Sequence, residues 1–266
     1  DDKWELDYGF DPTVDDSGSD PDGDMFTNGR EYQDQTDPQD PNSYFALPKA
    51  TGRVPDTGQA MCYGYDSWGY FIAYPQPGEP FYGQDGSFRI NPPSYEKMDS
   101  LGRYLADSAH KWAILRDNNT GLFWEIKQKK DDAINHSNPH DADNRYYWYD
   151  DNPETNGGVA GTPGNGTDTK DFIQALNTSN FGGNSDWRLP TIKELSSIVN
   201  RGDVDTAIDT AYFPNIADSA NYWTGTTSSR SNTEAGYVSF YDGDLNDGSK
   251  EFSSYYVRAV RGGSAN

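Results

Sequence analysis

Ser185-Asp186-Trp187-Arg188-Leu189-Pro190-Thr191-Ile192-Lys193-Glu194-Leu195 is the stretch on which the fold turns. Thr191 and Glu194 stand at the T-x-x-E spacing of a capping box, in which hydroxyl and carboxylate take up orphan amides at a helix start. Behind them Ile192, Leu195, Ile198 and Val199 recur at three- and four-residue steps, so the predicted helix has one buried side, with Gly202 as its stop. Ahead of it, Trp187, Leu189 and Pro190 make a rigid apolar approach with Arg188 in the middle, a packing junction rather than a place for chemistry.

Working outward, Lys111 to Trp124 reads as strand, Asn/Gly turn, strand, a hairpin expected in a central sheet. Asp168 or Thr169 predicts the N-cap of a second helix carrying Phe172, Ile173 and Leu176 and ending before Gly182-Gly183. Between them, residues 131–169 are rich in Gly and Asn and predict a long surface loop. His136 and His140 fall in it without a helical pattern or an H-E-x-x-H motif, so the spacing does not make a zinc site. The glycines lack the following Lys-Ser/Thr of a phosphate-binding loop. From Gly52 to Asp99 the chain is aromatic and proline-rich. Tyr63-Gly64-Tyr65 and Tyr70-Phe71-Ile72 predict short strands. With few aliphatics available, most of Tyr63, Tyr65, Trp68, Tyr70, Phe71, Tyr74, Phe81, Tyr82 and Phe88 are expected in the core.

Taken in order, D-W-R-L-P-T-x-x-E-L at 186–195, Thr120-Gly121-Leu122-Phe123-Trp124, Tyr222-Trp223-Thr224 and Tyr256-Val257-Arg258-Ala259-Val260-Arg261 resemble the Lcl C-terminal domain family, a C-type-lectin-like domain of bacterial surface proteins. The lead-in from Val54-Pro55-Asp56-Thr57-Gly58-Gln59 to Phe81-Tyr82-Gly83-Gln84-Asp85 fits the same pattern, so the resemblance spans residues 52–263. It implies an α+β fold with two helices against short, twisted, mostly antiparallel strands, and a place outside the cell or on its surface, any export signal having been removed on maturation. Relatives often carry a second cysteine downstream of Cys62, where this chain reads Ile72-Ala73-Tyr74-Pro75. A lone cysteine allows no intrachain disulfide. It also cannot supply the cysteine pair of the formylglycine-generating enzymes, which resemble this chain only in architecture.

The first 48 residues differ in composition and predict a separate module ahead of a domain spanning 49–266. In it Asp20, Asp22, Asp24, Asn28 and Glu31 occupy positions one, three, five, nine and twelve of a twelve-residue loop, with the Phe26 carbonyl at position seven. That spacing wraps a hard cation, and calcium is the expected guest. With Gln35-Thr36-Asp37-Pro38-Gln39-Asp40-Pro41 behind it, the segment resembles a thrombospondin type III calcium repeat, apart from Met25 where the sharp turn at position six normally takes glycine. Asp15, Asp16, Asp37 and Asp40 are candidates to complete or share a site. An acidic linker without metal is the alternative.

Forty-three acidic against twenty-one basic residues give a net charge of −22 in 266 residues. Such a charge disfavours nucleic acid, anionic membrane and sulfated polysaccharide as partners. No apolar run has the length of a membrane span. Towards the C-terminus, segments of Ser, Thr, Asn, Asp, Gly and Tyr alternate with apolar anchors at Trp223, Val238, Phe240, Val257 and Val260, a composition suited to adaptable recognition on a rigid scaffold. Ser228, Ser229, Ser231, Asn232, Tyr241, Asp244 and Asn246 are the candidate ligand contacts. No Ser-His-Asp order or nucleophile elbow is visible. The expected function is therefore non-enzymatic binding of a protein or glycan at the cell surface, and the alternative is a structural subunit of a surface layer, sheath or filament built by self-association.

Overall fold

The computed structural model describes residues 2–59, 61–64, 71–72, 75–156, 158, 161–203, 206–216 and 220–263. Tyr65, Trp68, Tyr70 and Tyr74, with the side chain of Phe71, lie outside the described residues. In chain order the elements are α1 (Asp2–Asp7), α2 (Asn28–Asp34), β1 (Cys62–Tyr63), β2 (Phe71–Ile72), β3 (Tyr95–Met98), β4 (Ile114–Asp117), β5 (Leu122–Glu125), β6 (Tyr146–Tyr147), α3 (Thr169–Thr178), α4 (Ile192–Ser196), β7 (Asn221–Thr227), β8 (Glu234–Ser239), β9 (Leu245–Ser249), β10 (Ser254–Tyr255) and β11 (Val260–Gly262). The chain is mixed α+β, with small antiparallel sheets and short helices.

The central sheet has the order β11-β5-β4-β3, with every pair antiparallel. Its middle is the hairpin read from the sequence, with Leu115 opposite Trp124. The turn is built by Asp117, whose carboxylate accepts from the Asn119 amide at 2.8 Å and the Thr120 hydroxyl at 2.6 Å, while Gly121 takes the left-handed φ of +76°. A second sheet runs β7-β8-β9, and β10-β6 and β1-β2 form two-stranded pairs.

Alternation along the strands divides the apolar side chains between two clusters, because successive residues of a strand point to opposite faces. Leu115, Leu122, Trp124, Tyr222, Val238 and Val260 meet Leu195, Ile198, Val199 and Phe213 in one cluster. Their neighbours Ile114, Trp223, Ala235 and Ala259 meet Phe172 and Leu176 of α3, with Trp148 and Trp187, in the other. Asp168 caps α3 by accepting from the Asp171 amide at 3.0 Å.

The junction ahead of α4 is held as its sequence suggests. Both halves of the capping box form between Thr191 and Glu194. The same Glu194 takes two bonds from the Arg188 guanidinium, at 2.8 and 2.7 Å, and the Arg188 backbone exchanges two 2.9 Å hydrogen bonds with Val260 of β11. The helix itself is shorter than the apolar spacing predicts. The Ser196 and Ser197 hydroxyls donate back to the Lys193 and Glu194 carbonyls at 2.9 and 2.7 Å, and Ser197 is the C-cap. Ile198 and Val199 reach the core from the following turn, and Gly202 is not the helix stop. The aromatic-core expectation for residues 52–99 fails at Tyr63, Phe81, Tyr82 and Phe88, which are exposed. Tyr63 stands on the two-residue β1, and residues 75–88, with Pro75, Pro77 and Pro80, hold turns and no strand, so neither stretch offers a strand face long enough to bury these rings.

One buried cluster of charge was not anticipated. Glu125, at the end of β5, is fully buried, with Lys127 at 3.3 Å and His140 Nδ1 at 3.0 Å from its Oε1. Arg258, also buried, donates to the Glu125 backbone carbonyl at 2.6 Å. Burial alone would raise the Glu125 carboxyl, but Lys127, His140 and Arg258 together hold it down at about 2. His140 is thus a partner of Glu125, and His136 bonds the Arg145 carbonyl at 3.1 Å.

Glu125→Gln removes the carboxylate that pairs with Lys127 and is expected to cost about 3–5 kcal/mol in urea unfolding, as removal of one partner from a buried pair does. Because the folded carboxyl titrates below its ordinary value of 4.5, its contribution is complete above that value and is lost as pH falls toward about 2. The variant should lose that part of the acid slope.

Candidate metal centre

The loop from Asp20 to Glu31 winds on its own side chains. Asp20 accepts from the amides of Gly23 at 2.9 Å and Met25 at 3.2 Å, Asp22 from Asp24 at 3.2 Å, and Asp24 from Phe26 at 2.8 Å. Each carboxylate thereby turns the backbone around a common centre, and oxygens of Asp20, Asp22 and Asp24 lie within 4.8 Å of one another. Among the described residues no other group of three His, Cys, Asp or Glu side chains meets in this way.

Asn28 and Glu31 stand at the start and in the middle of α2, with Glu31 near enough for Asp22 and Asp24 to act on its carboxyl. Asn28 is 2% exposed and its amide nitrogen donates to the Asp16 carbonyl at 3.2 Å, which leaves Oδ1 for the loop. Glu31 is wholly buried, and its Oε1 accepts from Thr36 of the Thr-Asp-Pro tail at 3.3 Å. Asp22 Oδ2, Asp24 Oδ2, Asn28 Oδ1 and Glu31 Oε2 are buried with no hydrogen-bond partner. Four such acceptors in one short loop are costly unless a cation satisfies them. The electrostatics agree: burial first, then Asp22 and Asp24, push the Glu31 carboxyl up to about 8. Burial, with Asp20 as neighbour, also raises Asp22 and Asp24. The donor set is all oxygen, of the number and kind a calcium ion takes.

Met25 carries the turn at position six with φ of +80°, the left-handed region that glycine adopts freely. Asp15, Asp16, Asp37 and Asp40 are not part of that group of three. Asp15 accepts from Ser17, Asp37 from the Gln39 amide, and Asp40 from Asn42.

The seven candidate ligand contacts do not form one patch. Ser228, Ser229, Ser231 and Asn232 lie in the β7–β8 turn, while Tyr241 and Asp244 lie in the β8–β9 turn at the other end of β8, about 17 Å away along the strand. Asn246, on β9 opposite Tyr237, is exposed between them. The Ser228 hydroxyl is engaged with Asp247 at 2.8 Å and Ser231 with Thr233 at 2.7 Å. Sequence order placed these residues side by side, but a hairpin sends consecutive turns to opposite ends of the sheet. The β7–β8 end is fixed by Lys250, a buried lysine that the sequence did not single out. It bonds Asp150 at 3.2 Å, Thr227 at 3.1 Å and the Thr155 carbonyl, and lies 4.2 Å from the centre of the Trp148 ring.

Residues 113–261, more than half of the chain, match the model of the Lcl C-terminal domain, and the chain belongs to that family. No curated protein matches the chain. No helix among the described residues is long and apolar enough to cross a membrane.

Met25→Gly is expected to stabilise the loop by about 1 kcal/mol, since it removes the left-handed penalty at a side chain that is 43% exposed and makes little packing. Thermal unfolding of the two proteins at matched calcium concentration measures it.

Proposed function

We propose that this member of the Lcl C-terminal domain family is a calcium-binding, non-enzymatic recognition protein that works outside the cell or on its surface. The observation that carries the metal is the ring of unpartnered buried oxygens on Asp22, Asp24, Asn28 and Glu31 beside Asp20. With the Phe26 carbonyl they fit calcium's larger, flexible shell better than magnesium's strict octahedron. The twelve-residue spacing and the Thr36 contact to Glu31 support reading residues 20–40 as a thrombospondin type III-like repeat, and the two helices packed against short antiparallel strands support a C-type-lectin-like domain behind it.

The recognition surface in this reading is the set of polar turns of the β7-β8-β9 sheet. Tyr241 is 48% exposed and Ser229, Asn232, Asp244 and Asn246 are also exposed, on strands anchored by fully buried Trp223, Val238 and Phe240. A protein or glycan fits such a surface, whereas a net charge of −22 argues against polyanions. The separation of the polar turns also supports a second reading. Two different patches at opposite ends of one sheet suit a head-to-tail contact between copies, which builds a ring or an open filament of a surface layer or sheath.

Titration calorimetry is expected to find one calcium site in the full chain that Asp22→Asn/Asp24→Asn abolishes. Absence of binding heat with the unaltered chain would sink the metal reading. On a protein and glycan array, Tyr241→Ala/Asp244→Ala and Ser229→Ala/Asn232→Ala separate the two ends. Ligand recognition predicts loss of about 30-fold or more from one pair only, the size of an aromatic hot spot. Filament assembly predicts that either pair abolishes polymers seen by light scattering.

A further inference from the structure

The metal loop is joined to the sheet of the domain by more than chain continuity. β3 is the outer strand of the central sheet, and Tyr104 forms an antiparallel bridge to its last residue, Met98. On the other side of Tyr104 stands Phe26, in a parallel bridge. The Thr27 amide donates to the Tyr104 carbonyl at 3.1 Å, and the Tyr104 amide donates to the Met25 carbonyl at 2.8 Å. Residues 25–27 thus lie on the sheet edge as a further rung, and the Phe26 and Tyr104 rings stack with centroids 5.0 Å apart.

Three side chains reinforce that seam. Arg30 of α2, 3% exposed, donates to Glu96 on β3 and, at 2.6 Å, to Asp34. Gln33 accepts from the Asp107 amide at 2.7 Å, and the Thr27 hydroxyl donates to the Tyr104 carbonyl at 3.0 Å. The bonds across the seam use the Met25 carbonyl and the Thr27 amide, so by the alternation of an extended segment the Phe26 carbonyl between them points away from Tyr104.

We infer that cation occupancy of the Asp20–Glu31 loop is coupled to closure of the β3 edge of the central sheet. This rests on the calcium reading above and names how the site acts on the rest of the chain. To open the edge, residues 25–27 must leave Tyr104, which displaces the position-seven carbonyl between Asp24 and Asn28. The ion and the seam therefore open together. Since the ion binds only the closed loop, it lowers the open population at the seam by a factor of one plus the ratio of free calcium to its dissociation constant. The coupling is reciprocal, so the docked edge also organises the loop for the ion.

Amide hydrogen exchange on the full chain, followed by NMR with calcium and with chelator, tests this. At free calcium 100 times the dissociation constant, the Thr27, Tyr104 and Asp107 amides should exchange about 100-fold more slowly than in chelator. The Trp223 amide, bonded to the Tyr256 carbonyl in the other sheet, should change little. If calcium binds with measurable heat but Tyr104 exchanges at the same rate in both conditions, the coupling is overturned and the metal site stands. If neither heat nor slowing is seen, both fall. Equal slowing at Tyr104 and Trp223 also overturns it, because the ion would then report only global unfolding.

Discussion

An open strand edge presents a row of unpaired amides and carbonyls, and the four-stranded sheet of this chain has two of them. At the β11 edge the backbone of Arg188 exchanges two hydrogen bonds with Val260. At the β3 edge Tyr104 and then the 25–27 segment lie alongside. Both closures are local pieces of backbone rather than full strands, and each is held by a buried or half-buried arginine: Arg188 on Glu194, Arg30 on Glu96 and Asp34. The Arg188 guanidinium is bidentate on Glu194 and that of Arg30 bridges two carboxylates, so both fix direction as well as distance for segments too short to set their own register.

That constraint explains why the stretch 185–195 is so informative. Trp187 fills the α3 side of the core and donates to the Phe181 carbonyl at 2.9 Å, Arg188 closes the sheet edge, and Glu194 serves the arginine and the helix cap together. Capping boxes, hairpin turns and N-caps are readable in sequence because their chemistry lies within four residues, and all three are found where expected. Helix length was less readable, because Ile198 and Val199 keep helical spacing after Ser196 and Ser197 have ended the helix with their own hydroxyls. Segment 52–99 misled for the converse reason: aromatic content predicts burial only where strands are long enough to present a face.

The gathering of Asp20, Asp22 and Asp24 was legible in their alternate spacing, because each carboxylate turns the backbone just ahead of it. Met25 shows that glycine at position six is a preference for ease, since the backbone takes the same left-handed turn with a side chain attached. The polar C-terminal residues were legible in kind but not in place, because only strand pairing reveals that Ser229 and Tyr241 sit at opposite ends of β8. Glu125, Lys127, Arg258 and Lys250 had no local signature. Apart from the Glu125–Lys127 pair, two residues apart, their partners lie 12 or more residues away, and buried charge looks like exposed charge until the fold is known.

The family match begins at Ala113, just before β4, and so leaves out β3, Tyr104 and the metal loop. Within the matched segment the sheet would end at β4, with the backbone of Ile114 to Asp117 unpaired on one side. The residues ahead of the match supply what is missing: β3 pairs with β4 from Tyr95 to Met98, Tyr104 pairs with β3, and Phe26 with Tyr104. β3 pairs over four residues, whereas Tyr104 and Phe26 each add a single bridge and so have fewer hydrogen bonds to hold them. The outermost is the one that carries a ring of unpartnered oxygens. On the calcium reading proposed above, a divalent ion there would supply to a single rung the cohesion that a longer strand draws from its own ladder.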